Sequence, residues 1–109
     1  MAYSKSLCGR VREALSGEPG VTEKKMFGGV CFLLRGNMQL GIWQDALIVR
    51  LGVEGAQQAL TEPFVRPFDV TGKPMRGWAV VDPDGVDTQR QLRIWIERTR
   101  EFVSTLPPK

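Results

Sequence analysis

VCFLLRGNMQLGIWQDALIVRL, residues Val30 to Leu51, decides the fold of this chain. Val30, Phe32 and Leu34 alternate with Cys31 and Leu33 before Arg35, Gly36 and Asn37 supply a turn. Met38, Leu40 and Ile42 then alternate with Gln39, Gly41 and Trp43, and Gln44 with Asp45 turns again. Leu47, Val49 and Leu51 alternate in the same way with Ala46, Ile48 and Arg50. A period of two belongs to extended chain, whose successive side chains point to opposite faces. Connections this short join antiparallel neighbours, because parallel strands need a crossover of a dozen residues or more. The stretch therefore predicts a meander of three or four strands, the first starting around Thr22 to Phe27. One face is nearly all aliphatic and the other mixed, so helices are expected to cover one face.

Towards the N-terminus, Leu7, Val11, Ala14 and Leu15 share one stripe, with Ser4 placed to cap and Gly17 following the last turn. This predicts a short amphipathic helix, slightly weakened by Gly9 and broken by Glu18, Pro19 and Gly20. Towards the C-terminus, Gly52 ends the meander. Val53 to Leu60, rich in Ala and Gln, predicts a short helix closed before Pro63. Phe64 to Gly77 holds Pro67, Gly72 and Pro74 and reads as an irregular loop with a strand fragment at Phe68 to Val70. Trp78 to Val81 predicts a short strand, followed by a turn at Asp82, Pro83, Asp84 and Gly85.

The last element is the most strongly patterned. Leu92, Trp95, Ile96, Thr99, Phe102, Val103 and Leu106 recur at steps of three and four, the period of a helix. Asp87 or Thr88 can cap its start, and Pro107 with Pro108 stops it. Its opposite face carries Arg90, Arg93, Glu97, Arg100 and Glu101, with Arg93 and Glu97 spaced to pair. The expectation is one α+β domain spanning residues 1–109, in the order α-β(3-4)-α-β(1-2)-α. An antiparallel meander sheet would carry the helices packed on one face.

Composition sets broad limits. A chain of 109 residues has room for one domain, and 42% hydrophobic with 25% charged residues is ordinary for a globular protein. Fifteen cations against twelve anions give a formal charge of +3. The signs are interspersed, so contact with a polyanion is permitted without being predicted. Two cysteines are too few for a secreted disulfide framework, and both lie in apolar patterns, so buried thiols are expected. No apolar run approaches the roughly 20 residues needed to cross a bilayer. The N-terminus also lacks the apolar core of a signal peptide, and the expected location is cytoplasmic, with no membrane partner.

Little in the chain points to a reaction. There is no histidine, which removes the usual general base near neutral pH, the histidine-activated nucleophiles and imidazole metal ligands. Cys8 and Cys31 lack the partner cysteines of a zinc site. Gly28 and Gly29 precede a strand pattern, whereas a phosphate cradle leads into a helix. Asp82, Asp84 and Asp87 lack the terminal glutamate of a calcium loop and suit a turn before a helix start. No catalytic residue, metal or cofactor is expected. Trp43, out of phase with Met38, Leu40 and Ile42, is either a ring offered to a ligand or one packed under a loop or at a dimer contact. Lys24 and Lys25 beside the glycines, and Arg76 before Gly77, are either solvated strand-end charges or an anion- or partner-binding patch.

Three blocks carry a family resemblance: KKMFGGV at Lys24 to Val30, GNMQLGIWQDALIVRL at Gly36 to Leu51, and PFDVTGKPMRGWAVVDP at Pro67 to Pro83. Together they resemble the N-terminal domain of the TfoX (Sxy) family, over about residues 8 to 104. Met26, Phe27, Gly28 and Gly29 match its first motif, and Met75, Gly77 and Trp78 its second. The resemblance implies a small α+β fold similar to the secretion-chaperone-like architecture, whose members are often dimers. It also implies a stand-alone version, because full-length members carry a C-terminal helical domain. Those proteins act in bacterial competence for DNA uptake, as a coactivator with the cyclic-AMP receptor protein. No catalytic residue follows from the family, and the motif positions are structural or interfacial.

Function is thus expected to be a non-enzymatic binding or regulatory module acting by contact with a protein partner, including a second copy of itself. One alternative is a nucleic-acid accessory factor using Lys24, Lys25 and the basic face of the last helix. Another is a small-ligand binder or enzyme using the loop 64–77, with Cys31 as its thiol.

Overall fold

In a computed structural model that describes residues 3–26, 28–69 and 75–109, the alternating stretch folds as successive hairpins. The elements in chain order are α1 (Lys5–Leu15), β1 (Val21–Met26), β2 (Gly29–Leu34), β3 (Asn37–Trp43), β4 (Ala46–Arg50), α2 (Gly52–Ala59), β5 (Val65–Pro67), β6 (Trp78–Val81) and α3 (Gln89–Val103). All neighbours pair antiparallel in one six-stranded sheet of order β1-β2-β3-β4-β6-β5. The chain is α+β, as its pattern predicts. The β2–β3 loop is two residues long, with Arg35 at φ 52° and Gly36 at φ 86°, the handedness that matches strand twist.

The three helices lie on one face. Leu7, Val11 and Leu15 of α1, Ala56 and Ala59 of α2, and Leu92, Trp95 and Ile96 of α3 meet the aliphatic side of the sheet. That side consists of Val30, Phe32, Leu40, Ile42, Leu47, Val49, Ala79 and Val81. Ser4 caps α1 by accepting from the Leu7 amide at 3.1 Å. Thr88, of the two candidates, caps α3 in a reciprocal pair with Gln91. Among the described residues no helix is long and apolar enough to cross a membrane.

Four sequence expectations need correction. Phe32 stands opposite Leu40 and Leu33 opposite Met38, so Gln39 is an extra residue in β3. Such a bulge sets two residues against one and reverses the facing of what precedes it. Gln39 therefore turns towards α3, where its amide donates to the Thr99 hydroxyl at 3.0 Å and the Ile96 carbonyl at 3.3 Å. Met38 joins the opposite face instead.

The second correction concerns the strand fragment. It is Val65–Pro67, not Phe68 to Val70; Val70 lies outside the described residues, as do Phe27 and 71–74. Phe68 leaves the ladder to cover the face away from the helices, packing on Ala46, Ile48 and Val80. Its ring sits edge-on to Trp43 at 6.4 Å and tilted to Trp78 at 6.1 Å. Pro67 fits β5 because that strand is the sheet edge, where a missing N–H is tolerated. The extra apolar residues of this face thus have a cover within the chain.

Thirdly, Glu97 pairs with Arg100 rather than with Arg93, because Arg100 is also drawn in by Glu18 across the fold. Lastly, α3 ends at Val103, so Leu106 lies past its last turn.

Candidate functional site

Of the KKMFGGV block, Met26 closes β1 and Gly29 opens β2 of one hairpin. Met26 pairs with Gly29 across it, and Gly28 occupies the turn at φ 72°, where a side chain would be strained. At Gly29 a Cβ would lie 2.1 Å from the Ile42 carbonyl oxygen, so β2 and β3 could not approach with any larger residue there. Both glycines therefore have backbone reasons for being present. Phe27 lies outside the described residues.

The cations beside that hairpin do not make one patch. Lys24 stands opposite Cys31 on the face away from the helices, and Lys25 opposite Val30 on the helical face. Neighbours along a strand point apart. Three intervening strands put β1 about 19 Å from β6, so neither lysine reaches Arg76 at the start of β6.

The second motif builds a joint between β6 and α2. Gly77, at φ 87°, accepts from the Leu51 amide at 2.9 Å and the Gly52 amide at 3.1 Å through its carbonyl. Gly52, at φ 80°, has no room for a side chain either, since a Cβ would lie 2.6 Å from the Phe102 ring. The start of α2 is thereby clamped beside Met75–Trp78, and a groove of about 180 Å³ opens between them.

Val53, Ala56, Gln57 and Leu60 line one wall of this groove. Their spacing of three, one and three places them on one stripe of α2. Pro67, Met75 and Trp78 form the other wall, with Arg76 as the charged residue of the lining. Trp78 packs with Phe68 against its ring and the Arg50 guanidinium 5.3 Å from its centroid. Val53, Leu60 and Met75 are 43%, 38% and 42% exposed, three of six large apolar side chains that face solvent among the described residues. Exposed apolar residues scattered singly are ordinary, whereas these three share one hollow, which makes it the candidate contact surface. Sequence reading singled out Met75, Gly77 and Trp78 as motif positions and Arg76 as a candidate binding cation, without placing them beside α2. It missed Val53 and Leu60, whose separation of seven residues was the available signal.

Other sequence candidates lie elsewhere. Trp43 is half-buried against Phe68, the packing alternative. Cys31 and Cys8 are both buried. Burial pushes the Cys31 thiol up to about 11 and raises Cys8 too, the latter against the opposing pull of Arg12. A thiol so placed has little thiolate near neutral pH. On α3, Arg98 makes a bidentate pair with Glu62 and lies 4.2 Å from the Trp95 ring, while Arg100 is held by Glu18 and Glu97. Of the basic face's Arg90, Arg93 and Arg100, Arg100 is thus held within the fold, while Arg90 and Arg93 pair with no carboxylate among the described residues. Asp82, one of the three clustered aspartates, pairs with Arg66. Among the described residues, no three His, Cys, Asp or Glu side chains gather where a metal could sit.

A family model described as the TfoX N-terminal domain matches residues 13–103, taking in both motifs and α2. No curated protein and no solved structure matches the chain.

Proposed function

The chain belongs to the TfoX N-terminal domain family, and on that premise we propose that it is a regulatory binding module acting through protein–protein contact rather than catalysis. The observation that carries this reading is the convergence of exposed Val53, Leu60 and Met75 in a groove assembled by the second family motif. A chain without histidine and with both thiols buried is poorly equipped for proton transfer or nucleophilic attack. Regulation of transcription or of competence is the setting that the family suggests.

Affinity capture from cell extract tests the reading, using three immobilised baits with matched melting behaviour. They are the wild type, Leu60→Asp, and Ile94→Asp on α3, whose side chain is 49% exposed and does not line the groove. At least one protein should be retained by the wild type and Ile94→Asp and lost from Leu60→Asp. Identical retention on all three baits, or turnover of a small molecule by the purified chain, would remove the proposal.

A further inference from the structure

The groove beside α2 has a definite size, lining and charge, and these constrain its occupant. We propose that it is a socket for one apolar side chain, of leucine to phenylalanine size, on a partner polypeptide that carries a carboxylate next to that side chain. The inference rests on the protein-binding reading and specifies the partner's chemistry.

Volume argues first. A hollow of about 180 Å³ is close to the roughly 150 Å³ that accommodates a benzene ring, so it suits a single large side chain. It is far too small for a whole helix, whose diameter with side chains is about 10–12 Å. The lining argues for an apolar anchor: Val53, Leu60, Pro67, Met75 and Trp78 present carbon, and Gln57 can meet a peptide backbone group at the rim.

Charge supplies the second specification. Among the described residues Arg12, Arg66, Arg98 and Arg100 hold a carboxylate within the fold and the other six arginines do not, but of those six only Arg76 lines this groove. Arg76, exposed at the groove, pairs with no carboxylate among the described residues, and no acid lines the groove with it. A guanidinium in that position favours an acidic neighbour to the anchor and repels a basic one, which fixes selectivity more than affinity.

Selection of a random linear peptide library on the folded wild-type chain, counter-selected on Leu60→Asp, tests the proposal. Enriched peptides should carry Leu, Met or Phe within about three positions of Asp or Glu. Their binding should weaken at least tenfold on Leu60→Asp and on Val53→Asp, the second variant guarding against a folding defect in the first. Arg76→Gln should weaken it about two- to fivefold and flatten its dependence on salt. Peptides that need the groove but carry a basic or uncharged flank would overturn the acidic specification and leave the binding module standing. Failure to enrich any peptide that separates the wild type from both groove variants would overturn the socket. If extract proteins were still lost from Leu60→Asp, the protein-binding reading would survive that failure.

Discussion

A methyl group added at Gly29 would lie 2.1 Å from the Ile42 carbonyl oxygen, whereas one added at Gly9 meets nothing within 4 Å. The same substitution should therefore act with opposite sign. Gly29→Ala forces β2 and β3 apart and should cost about 1–3 kcal/mol or more, as overpacking does. Gly9→Ala, inside α1, should add about 1 kcal/mol, the helix preference of alanine over glycine. Urea unfolding of both variants, at unchanged slope, reads the two effects. Cys31 offers a pH signature. Burial raises its thiol from 9.0 to about 11 in the folded chain, so the neutral form is favoured by folding. That contribution is fully present below about pH 9 and is lost as pH rises through about 11. Between pH 8 and 11 the wild type should lose about 2 kcal/mol more than Cys31→Ala, which denaturant midpoints across that range would detect. At this scale the glycine pair was half legible: adjacent glycines in a strand pattern mark a bulge or a close approach of another backbone. Gly29 makes the close approach, while Gly28 sits in a hairpin turn instead of a bulge. The inward turn of Gln39 was not legible: a one-residue bulge reverses facing, and alternation by itself carries no mark of where the count slips.

Elements were the most legible level. The β2–β4 meander followed from alternation and short turns, and α3 from its apolar stripe between a capping Asp87 or Thr88 and two prolines. Thr88 and Gln91 satisfy each other's backbone and side-chain groups at the head of α3. Thr88→Ala should cost about 1 kcal/mol and Thr88→Ser far less, measured by thermal unfolding. If the serine variant loses as much as the alanine variant, the hydroxyl is not the cap. β5 was misplaced for a physical reason. Phe68 has the composition of a strand residue but is used as a cover for Ile48 and Val80, while Pro67 looks like loop yet is accommodated at the sheet edge. α2 was recognisable as a helix, but its second apolar stripe was not. Val53 and Leu60 look like a weak core face until a neighbour is known.

Across the whole molecule, function depends on what the sheet separates and what it brings together. Its width divides Lys24 and Lys25 from Arg76, so the three cations cannot act as one patch. Its far side joins α2 to Met75–Trp78 through the carbonyl of Gly77, making a groove from residues more than a dozen positions apart. Such a site has no local sequence pattern: Met75, Gly77 and Trp78 stood out in the chain as motif positions, but nothing there joined them to α2. Amide spectra of the labelled chain, recorded with and without a partner captured on it, measure where contact falls. Shift changes should concentrate at Val53–Leu60 and Met75–Trp78. Changes gathered at Lys24–Met26 or along the exposed face of α3, with the groove silent, would contradict the account.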